Sequence, residues 1–100
     1  MNTLTEKLAL RDRFRDLLQE TAKHRDKRQR IVTDGDYRHT IEWVLHERMT
    51  MWEAVNLARA ARGLVPVARN IIDRADQVAM GTDWCDKFAL YCAEIVLGEH

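Results

Sequence analysis

Three residues within one short stretch offer the best-spaced chemistry in the chain: His39, Glu42 and His46. On a helix turning about 100° per residue they project within about 60° of one another. Two imidazoles and a carboxylate on one stripe are the donors of a divalent-metal site, or an acid–base pair. Axial distance works against a shared ion, because His39 and His46 lie two turns, roughly 10 Å, apart. Glu42 and His46, at i and i+4, hold a metal only if another helix supplies the remaining ligands. The plainer reading is an ordinary Glu–His surface pair. His24 falls in a basic segment and His100 at the C-terminal end, poor places for a rigid site. The expectation is no metal and no cofactor, with a small metal-binding enzyme or sensor as the outlying alternative.

Nucleophiles are scarce. Serine is absent, and no Walker A loop, GxGxxG, GxSxG or HExxH pattern occurs. The four glycines are scattered, so no glycine-rich loop can cradle a phosphate. Cys85 and Cys92 are seven residues apart on what reads as one helix, with Cα atoms roughly 10 Å apart. That exceeds the ~7 Å limit for a disulfide, and the apolar stripe around them predicts two reduced core thiols. The chain is therefore expected not to be an enzyme.

Trp43 changes the reading of the histidine face. It projects away from the Ile41–Val44–Leu45 stripe, toward the side carrying His39 and His46. Either a second helix covers that side within the bundle, or Trp43 anchors a partner, a role in which tryptophan is enriched. Leu57 falls on the same angular stripe and suits both readings.

Charge supplies the other candidate surface. The 100 residues hold 16 basic and 16 acidic side chains, a net charge of zero. That excludes binding to nucleic acid or membrane through bulk positive charge. The balance is uneven along the chain: residues 1–32 carry nine basic and five acidic residues, and residues 63–100 carry three and six. The basic excess concentrates in Lys23, Arg25, Lys27, Arg28 and Arg30, with no apolar residue among 23–30. Such a segment suits a solvated helix end, an acidic protein surface, or phosphate contacts with nucleic acid. No zinc finger, basic zipper or RNA-recognition signature accompanies it. A helix-turn-helix over residues 50–80 fits poorly, since Arg59 stands where a small buried residue is usual.

All of these side chains need helices to place them. Apolar residues make up 46% of the chain and charged residues 32%, with one proline. No segment alternates with the period of a strand, and three-to-four spacing appears almost everywhere. Leu4, Leu8, Leu10, Phe14, Leu17, Leu18 and Thr21 predict a long first helix over about 3–29. Thr33-Asp-Gly-Asp36 reads as a turn, with Gly35 at positive φ and Asp36 as an N-cap. Tyr37, Ile41, Val44, Leu45, Met49, Trp52 and Val55 predict a second helix stopping at Gly63, continuous across a possible cap at Thr50. Pro66 suits the first turn of a third, with Val67, Ile71, Ala75 and Val78 on its apolar face. Gly81 ends that helix, Thr82 or Asp83 caps a last one, and Glu99-His100 is expected to fray. The fold expected is all-α: a compact bundle of four to five helices with short loops and a long first helix, in a single domain of residues 1–100.

The N-terminal residues lack a signal-like apolar stretch, and the longest apolar run, Phe88–Ala93, is far short of a membrane span. A cytoplasmic location is expected. The function expected is a small helical regulator, adaptor or inhibitor acting by protein–protein interaction. Its partner is another protein or a second copy in a homodimer. Its contact residues are expected to be His39, Trp43, His46, Lys23, Arg25, Lys27, Arg28 and Arg30. A nucleic-acid-associated regulator using residues 23–30 is the alternative.

Overall fold

The computed structural model describes the backbone of residues 3–29 and 37–99, and the side chains of residues 4–21 and 46–99. It contains four helices among these residues: α1 (Thr3–Gln29), α2 (Tyr37–Ala61), α3 (Arg69–Ala79) and α4 (Trp84–Leu97). A fifth helix would have needed a break in α2 near Thr50, but α2 runs unbroken through it. The predicted turn at residues 33–36 lies outside the described residues.

Cross-chain contacts fix the topology. Lys7 meets Glu99 at 2.5 Å and Arg15 meets Asp86 at 3.6 Å, so α1 and α4 are antiparallel. Glu6 meets Arg62, and Arg48 meets Asp76, so α2 is antiparallel to both α1 and α3. Arg59 reaches the carbonyl of Ile95 and so sets the end of α2 beside the end of α4. The bundle is therefore up-down-up-down. α2 and α4 each touch every other helix, whereas α1 and α3 do not meet among the described residues. α2 and α4 form the short diagonal, and the core lies along it.

The core follows from helical periodicity. α4 buries Phe88, Ala89, Cys92, Ala93, Ile95 and Val96. Phe14 and Leu18 cover it from α1, Met51 and Val55 from α2, and Ile72, Ala75 and Ala79 from α3. Removing each large apolar side chain from water stabilises the fold by about 1.5–3 kcal/mol. The inward row of α2 is Glu47, Met51, Val55 and Arg59, every fourth residue, with a charged group at each end. Met49, expected inside, is 38% exposed. An apolar count passes over this row because its first and last members are charged.

Three further expectations are corrected. Pro66 does not open α3; it stands in a non-helical segment, residues 64–68, and α3 starts at Arg69. The cause lies at Val67. Its amide donates to Asn56 Oδ1 at 2.9 Å, and its carbonyl accepts from Trp52 Nε1 at 2.8 Å and from Asn56 Nδ2. With both backbone groups committed to α2, Val67 cannot join a helix. The buried face of α3 carries Ile72, Ala75, Asp76 and Ala79, while Val78 points to solvent. Glu99 does not fray, because its amide donates to the Glu94 carbonyl and its carboxylate pairs with Lys7. The stops at Gly63 and Gly98 are borne out, both residues having left-handed φ, +74° and +76°.

Candidate partner interface

α1 and α2 diverge on the side away from α3 and leave a groove of about 510 Å³. Side-chain size explains it. α2 presents Ala54, Ala58 and Ala61, which are too short to fill the space beside Leu10, Phe14 and Leu17 of α1. Val96 of α4 lies at the floor. Leu57, the one long aliphatic on this side of α2, is 74% exposed at the rim. The polar lining residues are two arginines, Arg13 from α1 and Arg62 just past the end of α2.

Neither guanidinium is saturated. Arg13 is exposed and pairs with no described carboxylate. Arg62 approaches Glu6 Oε2 at 3.6 Å, beyond hydrogen-bonding distance. That oxygen is buried and has no hydrogen-bond partner among the described residues. A second depression, about 380 Å³, lies between α3 and α4 beside Val78 and Tyr91. Its polar lining, Arg74 and Glu94, is of opposite sign and favours no ligand charge.

The sequence-derived contact residues divide. His46 is exposed on α2. The side chains of Lys23, Arg25, Lys27, Arg28, His39 and Trp43, and the whole of Arg30, lie outside the described residues, as does Glu42's side chain.

The cysteines separate as well. Cys92 is fully buried, and burial, reinforced by the Asp76 carboxylate, pushes its thiol far above the ordinary range. Cys85 is half-buried, and burial first, then Asp86, raises its pKa too. Both resist forming the thiolate that nucleophilic chemistry requires. No group of three or more His, Cys, Asp or Glu suited to a metal occurs among the described residues. No described helix is long and apolar enough to cross a membrane.

Two polar centres escaped the sequence reading, and both tie α2, one wall of the groove, to the rest of the bundle. Arg59, 7% exposed, donates from Nε to the Val65 carbonyl at 2.8 Å and from Nη1 to the Ile95 carbonyl at 2.6 Å. Ile95 is in the last turn of α4, where carbonyls lack helical partners and a cation is favoured. Asp76, 4% exposed, accepts from Arg48 Nε at 2.7 Å and from Trp84 Nε1 at 2.5 Å. It ties α2, α3 and the start of α4 together. No protein-family model, curated protein or solved structure matches this chain.

Proposed function

We propose that this protein is a small helical adaptor or regulator that acts by offering the α1–α2 groove to another protein. The observation that carries this is Leu57: a large aliphatic side chain, 74% exposed, at the rim of an apolar groove of about 510 Å³. Apolar surface gathered in one groove, and not scattered singly, is the kind that marks an interaction site. The groove walls belong to α1 and α2, the two longest helices, and apolar grooves between helices are a recurring seat for a partner's amphipathic helix.

Affinity capture from the source organism, run in parallel with wild type and Leu57→Asp, tests the reading. Leu57 contributes little to the core, so the substitution should change stability by no more than about 0.5 kcal/mol. A protein recovered stoichiometrically by wild type and lost with Leu57→Asp supports the proposal. An identical set of captured proteins with both baits, or none with either, overturns it.

A further inference from the structure

Building on that reading, we infer that the groove accepts an acidic amphipathic helix: an apolar stripe flanked by Asp or Glu. The apolar part follows from the walls, Leu10, Phe14 and Leu17 facing Ala54 and Ala58. The alanines lower one wall, so the incoming helix brings the larger side chains, spaced i, i+3, i+4 and i+7.

The acidic part follows from the rim. Its polar lining groups are both cations, one on each wall. Arg13 makes no ion pair among the described residues, and Arg62 makes one, to Glu6 at 3.6 Å, too long for a hydrogen bond. Both guanidinium groups therefore keep donors available for an incoming carboxylate, the partner to which arginine's planar fork is fitted. A lysine-flanked helix would place like charges against the rim arginines, an arrangement that disfavours the wrong partner. A second copy meets the same objection. A two-fold contact sets a patch against itself, and here it would gather four arginines around one groove.

Two peptides of about 18 residues, or five turns, test the inference. Both carry leucine at i, i+3, i+4 and i+7, with glutamate flanks in one and lysine flanks in the other. Fluorescence anisotropy against the full chain should show the glutamate peptide binding at least about tenfold more tightly, with the difference shrinking as salt rises. Arg13→Gln with Arg62→Gln should remove the preference, and Leu57→Asp should remove binding. Circular dichroism of each variant separates lost binding from lost fold.

Equal binding of both peptides, or preference for the lysine peptide, overturns the acidic assignment while leaving the adaptor reading intact. Failure of both peptides, with light scattering showing a dimer that Leu57→Asp dissociates, makes the occupant a second copy and also overturns it. Failure of both peptides with a monomeric protein overturns it as well. The adaptor reading is then decided separately by the capture experiment.

Discussion

At the residue scale, the buried charges are the groups an apolar count misses and the packing most depends on. Asp76 sits on the inward face of α3 among Ile72, Ala75 and Ala79, a position the sequence alone would assign to an aliphatic side chain. It is tolerated because Arg48 and Trp84 both donate to it. Removing it should be costly because it strands both donors. Asp76→Ala is expected to lower the unfolding free energy by about 3–5 kcal/mol, read from urea denaturation. Trp84→Phe, which removes one donor and keeps the ring near Phe88, should lower it by only about 1–2 kcal/mol. Equal losses would mean that Asp76 acts through volume and not through its hydrogen bonds. Arg59→Met should also destabilise the fold, by about 2–4 kcal/mol, since it leaves the Val65 and Ile95 carbonyls without their charged donor.

At the element scale, the helices were legible and their faces less so. The first helix, the unbroken second helix and the glycine stops were readable because long periodic stretches and positive-φ residues leave strong local signals. The start of α3 was not, because it depends on Asn56 and Trp52, more than ten residues away, taking the backbone of Val67. The groove was not legible either. It arises where Ala54, Ala58 and Ala61 face α1, a tertiary juxtaposition, although Leu57 between those alanines was a usable clue. Two loop positions now have opposite expectations. Gly63, at φ +74°, has open space around it, so Gly63→Ala should cost about 1 kcal/mol through backbone conformation alone. Asp83 holds φ +65° without glycine's freedom and makes no side-chain cap bond. Asp83→Gly should therefore leave stability unchanged or raise it by up to about 1 kcal/mol. Thermal unfolding of the two variants checks both, and a marked loss for Asp83→Gly would show an unrecognised role for that carboxylate.

At the scale of the whole molecule, the proposed docking surface is built on a body held by packing, with ion pairs at its ends. Lys7–Glu99 and Arg15–Asp86 bridge the two ends of the α1–α4 contact, both partly exposed and open to screening by salt. Phe14 and Leu18, on the same helix, are almost fully buried. Hydrophobic burial of this kind does not depend on pH, so pH sensitivity should come from the groups whose affinity for protons changes on folding. Three such groups point the same way. The hydrogen bond to Glu99 raises the Lys7 pKa above its ordinary 10.5. Burial raises the pKa of Cys92, and that of half-buried Cys85, above the ordinary 9.0. In all three, the folded chain keeps a proton that the unfolded chain gives up. Below pH 9.0 both states hold it and stability is unaffected; above that the unfolded state binds fewer protons and gains. The unfolding free energy should thus decline as pH passes 9.0, first through the two cysteines and then, beyond 10.5, through Lys7 as well. Urea titrations from neutral to alkaline pH measure this directly. Cys92→Ala should start from a lower stability because of the cavity it leaves, but should show a shallower first part of the alkaline decline, with only the share of Cys85 remaining. An unchanged slope in that variant would assign the decline to other groups. It would also mean that the buried thiol is less insulated from solvent than its place between α3 and α4 implies.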